Sequence, residues 1–164
     1  MDRLKGLGSF LIITAALFLG LRGAHLLVGT LYPASLPGPF QLDSLDDVEQ
    51  YAGFWPHIPF YRPISLGSGP AEIVAERRPL PSTTVRWQGE SFLELSEWSG
   101  TYRPEVPDDA APLPDLPDVL HWTDGDLRLA VLQRAGRWIR VRTDLDVVEI
   151  RRIIDTLLPY DRLI

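Results

Sequence analysis

The stretch T-D-L-D-V-V-E-I-R-R-I-I-D-T-L-L, residues 143–158, decides the fold class. Leu145, Val148, Ile150, Ile153, Ile154, Leu157 and Leu158 recur at helical spacing as one apolar stripe, with Glu149, Arg151, Arg152 and Asp155 on the polar side. Thr143 to Asp146 makes a capping arrangement at the start, and Pro159 stops the run. Such a stripe is satisfied only by covering an apolar surface, and the segments before it read as strands. The expected fold class is therefore α+β: an antiparallel-sheet domain covered by a C-terminal helix and preceded by a single transmembrane helix.

Working back from the helix, Trp138 to Arg142 alternates Trp138, Arg140 and Arg142 with Ile139 and Val141, so one sheet face is expected to be polar and open to solvent. Arg134-Ala135-Gly136 joins it to the strand Leu127 to Gln133 as a tight hairpin, and Asp124-Gly125 is the turn after the strand Val119 to Trp122. Gly100 to Asp118 holds Pro104, Pro107, Pro112, Pro114 and Pro117 among five acidic residues and reads as a single solvated loop. Its carboxylates lack the fixed spacing around a glycine turn that a calcium loop needs.

Further upstream, Ala71 to Arg77, Thr83 to Gln88 and Ser91 to Trp98 read as strands, with Gln88-Gly89-Glu90 turning between the last two. Val85 and Trp87 share one face. Leu93 and Leu95 are expected in the core and share their face with Glu97, while Phe92, Glu94, Ser96 and Trp98 lie on the other. Ser44 to Ala52 reads as a short helix that Gly53 ends. Between helix and strands runs F-W-P-H-I-P-F-Y-R-P, residues 54–63, whose prolines exclude both helix and central strand. Its apolar residues are too many to be left in water, so it is expected to lie extended as a packing strap. Phe54, Trp55, Phe60 and Tyr61 are its candidate interface residues.

The N-terminal run from Leu7 to Tyr32 has the length and apolarity of a bilayer-spanning helix, with Arg22 its one formal charge. Arg22 stands where a signal-peptide cleavage site needs a small residue, so an uncleaved anchor is expected, with Arg22 snorkelling to the outer headgroups. Arg3 and Lys5 precede the span and acidic residues follow it, which places the N-terminus in the cytoplasm and the domain outside. Ala16, Gly20 and Ala24, with Gly23 beside them, give a small-residue face where another membrane helix could approach. The expected organisation is an anchor over residues 1–32, a proline-rich spacer over 33–43 and one extracytoplasmic domain over 44–164.

Composition excludes several function classes. From Pro33 onward 21 acidic residues face 13 basic ones, a net charge of −8, which opposes nucleic acid and anionic lipid surfaces as partners. There is no cysteine, and His25, His57 and His121 have no metal-ligand spacing, so neither disulfide nor zinc site is expected. No nucleophile elbow, zinc-protease helix or phosphate loop occurs, so no cofactor and no catalysis are expected. Arg134, Arg137, Arg140 and Arg142 could form an anion site, but alternating arginines on a strand of an acidic domain read as a solvated face.

The order of Y-A-G-F (51–54), W-P-H-I-P-F-Y-R-P (55–63), paired strands, W-T-D-G (122–125), R-W-I-R-V-R (137–142) and D-V-V-E-I-R-R-I-I-D-T-L (146–157) resembles a bacterial family of uncharacterised extracytoplasmic domains. These occur in membrane-anchored anti-sigma-like and sporulation-related proteins and look distantly like half-barrel folds that bind lipids or lipoproteins. The resemblance spans Ser44 to Leu158, transfers no catalytic residue, and implies a tethered domain that binds another protein or a lipid-like ligand. With six residues before the expected span, a departure from the anti-sigma pattern, direct sigma-factor inhibition is not expected. The expected function is a single-pass membrane-anchored interaction domain without activity. The alternative is an accessory subunit of a larger membrane complex, with an enzyme of unrecognised site third; the expected partners are the bilayer and another membrane protein.

Overall fold

A computed structural model describes residues 38–77, 79–100 and 102–163, together with Gly20. The anchor stretch, with Ala16, Gly23 and Ala24, lies outside the described residues, apart from Gly20, which is helical. Among the described residues no helix is long and apolar enough to cross a membrane. The chain divides into two compact units, Met1–Leu36 and Pro37–Ile164, and the second holds every described strand.

Among the described residues, ten strands and two α-helices build this second unit. They are β1 (Phe40–Leu42), α1 (Val48–Ala52, entered through a 3₁₀ turn at Leu45–Asp47), β2 (His57–Pro59), β3 (Glu72–Glu76), β4 (Ser82–Gln88), β5 (Phe92–Ser99), β6 (Ala111–Leu113), β7 (Leu116–Asp124), β8 (Leu127–Arg134), β9 (Arg137–Thr143), α2 (Val147–Asp155) and β10 (Leu157–Pro159). Eight of the strands form one antiparallel sheet in the order β1-β3-β4-β5-β9-β8-β7-β6, and β2 pairs with β10 as a separate ribbon. The mostly antiparallel sheet with helices is the expected architecture. Two consecutive meanders, β3-β4-β5 and β6-β7-β8-β9, meet where β5 pairs with β9.

Register assigns the two faces. One inner row runs Ile73, Val85, Leu95, Val141, Ala130, and a second runs Ala75, Thr83, Glu97, Ile139, Leu132. All ten are buried, and the eight apolar ones form one contiguous cluster with Ile150, Ile153 and Ile154 of α2, Val48 and Ala52 of α1, and Ile58 of β2. The helix stripe is thus laid on the sheet. The cap lies three residues later than the Thr143–Asp146 arrangement implied: Thr143 ends β9, and Asp146 is the N-cap, accepting a hydrogen bond from the Glu149 amide.

Several boundaries differ from expectation. The helix ends at Asp155, because Leu157–Pro159 pairs antiparallel with His57–Pro59, and two short proline-containing strands satisfy each other where neither belongs in a central sheet. Leu157 is buried from that strand, while Val148 and Leu158 are 59% and 39% exposed and leave the stripe. The stretch read as spacer contains β1, which pairs with β3 through Phe40 opposite Ala75. The loop expected over Gly100 to Asp118 shrinks to its first half, since Ala111–Leu113 and Leu116–Asp118 extend the second meander. Pro112 is tolerated there because β6 is the outermost strand, whose free edge needs no amide donor. Of the two hairpins, Gly125 and Asp126 make the β7–β8 turn, while Ala135 and Gly136, at φ 50° and 75°, make the β8–β9 turn.

Candidate binding face

Two arrangements concentrate polar chemistry, one inside the core and one on the outer sheet face. The inner one is centred on Glu97, which alternation places among core residues of β5 and which is only 2% exposed. Oε2 accepts a hydrogen bond from the His57 amide at 2.7 Å, and Oε1 lies 2.9 Å from His57 Nδ1 and 2.6 Å from Arg137 Nε. The last contact is an ion pair without the alignment of a hydrogen bond. Arg137 also stacks on Phe54, its guanidinium carbon 4.8 Å from the ring centroid. The strap is therefore tied to the sheet by a buried carboxylate whose two oxygens are both occupied, the way a buried charge is kept tolerable.

The outer face is read from the same register. One row runs Glu72, Arg86, Glu94, Arg142, Leu129, Trp122; the next runs Val74, Thr84, Ser96, Arg140, Val131, Leu120; the third runs Glu76, Ser82, Trp98, Trp138, Gln133. In the first row Arg86 joins Glu72 and Glu94, reaching Glu94 Oε2 through Nη2 at 2.7 Å, and its pKa is raised above the ordinary value chiefly by that hydrogen bond. The other rows are less occupied. The connection from β5 to β6 has to cross β9, β8 and β7, and its residues Tyr102, Pro104 and Glu105 share a depression of about 350 Å³ with Trp98, Trp122, Leu129 and Arg140. A second depression, about 340 Å³, lies among Leu80, Thr84, Ser96, Trp98, Tyr102 and Arg140. Trp98, Tyr102 and Arg140 line both, so the two adjoin and together make up the trough of this face, and the crossing segment is pinned by Trp98 Nε1 donating to the Tyr102 carbonyl at 2.9 Å.

The four arginines read as a solvated face have separate fates. Arg134 donates to the carbonyls of Ile154 and Leu157, holding the end of α2, and Arg137 pairs with buried Glu97. Arg142 lies over Phe92, 5.7 Å from its ring centroid. Only Arg140 is left on the trough: its Nε is buried without a hydrogen-bond partner, and it has no ion-pair partner among the described residues. Residues of alternate parity on one strand thus serve opposite faces, and Arg137, which shares the parity of Ile139 and Val141, serves the inner one by pairing with Glu97.

The strap residues do not act as one surface. Phe54 and Tyr61 pack against the core, Trp55 lies 5.8 Å from the Tyr160 ring, and Tyr61 donates to Glu149 at 2.7 Å. Phe60 alone is exposed, 77% of it, near Ile64 at 98%. Among the described residues no three metal-ligating side chains converge. What the sequence reading missed is the trough. The placement of Trp98 off the core face was its one legible signal, whereas the Trp98–Trp138 and Ser96–Arg140 pairings depend on β5 meeting β9 across 40 residues of chain. Compared with known proteins, the chain matches no family model, no curated protein and no solved structure.

Proposed function

We propose that this chain is a membrane-tethered extracytoplasmic binding module without catalytic activity, anchored by residues 7–32 and recognising its ligand on the outer sheet face. The observation that carries the reading is the trough shared by Trp98, Tyr102, Trp122 and Arg140. Aromatic walls with a few convergent polar groups are the usual make-up of a ligand site, and a face evolved only for solvent has no reason to collect them. Glu97, the buried carboxylate that an enzymatic reading would recruit, is turned to the core and has both oxygens engaged, which favours a structural role for it. The apolar, nearly uncharged run from Leu7 to Tyr32 and the basic residues before it favour the tether and its orientation.

Fractionation of cells expressing the full chain tests this. It is expected in the membrane pellet, resistant to carbonate extraction, with its domain digested by protease added outside spheroplasts. A chain recovered in the soluble fraction, or a domain protected from outside protease, would refute the tether. A second reading, an accessory subunit of a larger membrane complex, is favoured by the exposed pair Phe60 and Ile64. Extraction in mild detergent followed by size exclusion separates the two: a stable large assembly that Phe60→Ser disperses marks the subunit, and a particle of 18.5 kDa plus detergent marks the independent module.

A further inference from the structure

We infer that the outer-face trough takes a small aromatic carboxylate, its ring between Trp98, Tyr102 and Trp122 and its carboxylate on Arg140. This rests on the reading of the outer face as the binding surface and adds the chemical class of ligand. Arg140 is the only cation lining either depression among the described residues. A buried guanidinium N–H left without an acceptor is costly, and Arg140 Nε is in that state. Arg140 Nε has no accessible surface of its own, so a ligand meets the two terminal nitrogens, whose fork matches the two oxygens of a carboxylate.

The carboxylates nearest Arg140 do not fill this role. Glu97 is taken by His57 and Arg137, while Glu76 and the exposed Glu105 stand outside ion-pair distance of Arg140. Their presence, with the net charge of −8, excludes a polyanion but not a single carboxylate, since exposed charges beyond roughly 8 Å are screened at physiological salt. Size and wall chemistry set the rest. Depressions of about 340 and 350 Å³ are at the small end of ligand sites and hold one or two fused rings, and a long acyl chain would project into water. Trp98, Tyr102 and Trp122 offer ring faces and edges on which a planar ligand stacks.

The test uses the full chain in lipid nanodiscs, labelled with 5-fluorotryptophan and titrated with 2-naphthoate and with the neutral 2-naphthylmethanol. For the naphthoate a Kd on the order of 0.1–1 mM is expected from the number of its heavy atoms. The fluorine resonances of Trp98 and Trp122 should shift, and those of Trp55 and core Trp87 should not. Arg140→Gln should weaken naphthoate binding about tenfold or more, Arg140→Lys should weaken it less, and neither should alter the alcohol. Equal binding of acid and alcohol, both shifting Trp98 and Trp122 and both indifferent to Arg140→Gln, would overturn the carboxylate assignment while leaving the trough as the binding face. No binding of either compound, or binding that leaves Trp98 and Trp122 unmoved, would overturn both. Tighter binding of a peptide ending in phenylalanine with a free carboxylate, lost on amidation, would overturn the small ligand in favour of a chain terminus. Should Arg140→Gln fail to fold, the acid and alcohol comparison on the native chain decides alone.

Discussion

Glu97→Ala should be among the most damaging single substitutions in the domain. The side chain is 2% exposed and makes three polar contacts, to the His57 amide at 2.7 Å, His57 Nδ1 at 2.9 Å and Arg137 Nε at 2.6 Å. Removal leaves the His57 amide buried without an acceptor and Arg137, whose side chain is 18% exposed, without its counter-charge. Losing one partner of a buried ion pair costs about 3–5 kcal/mol, mostly the penalty of the charge left behind. Against a total of about 5–15 kcal/mol this is a large fraction of the fold. For a unit of this size the melting midpoint should fall about 10–20 °C. The assay is urea denaturation of residues 37–164, wild type and variant, followed by far-ultraviolet circular dichroism. Adding Arg137→Ala to Glu97→Ala should cost less than the two single changes together, by about 0.5–3 kcal/mol, because the orphaned charge leaves with its partner. A loss below about 1 kcal/mol for Glu97→Ala, or strict additivity in the cycle, would refute the view that this carboxylate ties strap to sheet.

Ile153→Ala and Ile154→Ala, both at 0% exposure, should each cost about 2–5 kcal/mol in the same urea assay. Arg151→Ala, which breaks only solvent-exposed pairs with Asp115 and Asp155, should cost about 0.5 kcal/mol or less, and a larger loss would contradict its surface role. Val148→Ala should be nearly silent, since that residue is 59% exposed despite its place in the apolar pattern. Ala135→Asn should stabilise by up to about 1 kcal/mol, because Ala135 sits at φ 50° in a two-residue hairpin that favours Asn-Gly; a lower midpoint would show the turn is held by something else.

Local pattern was enough for the elements whose physics is local. Alternation located β3, β4, β5, β8 and β9 to within a residue or two, put Leu93 and Leu95 inside, and gave Val85 with Trp87 and Ile139 with Val141 common faces that prove buried, because a strand buried on one face repeats every two residues. The helix over 147–155 was visible for the same reason at a period of 3.6, although its cap is Asp146 and not Thr143, which the strand before it takes. Proline cost the most accuracy. Pro112 and Pro159 spoke against strand, yet both lie in strands that have a free or short edge, and whether a strand is an edge is a property of the assembled sheet.

By itself, then, the sequence determined the α+β class, the core faces of the main strands, the acidic charge balance and the apolar character of residues 7–32. Tertiary structure decided that Leu157 caps the core from a strand instead of a helix, that Glu97 becomes the buried tie of the strap, and that Trp98, Trp122 and Arg140 share one trough. The division has one cause. Period and capping depend on residues within a turn of each other, whereas the pairing of β5 with β9 and of β2 with β10 joins segments 40 to 100 positions apart, and no local pattern states which distant edge a strand will meet.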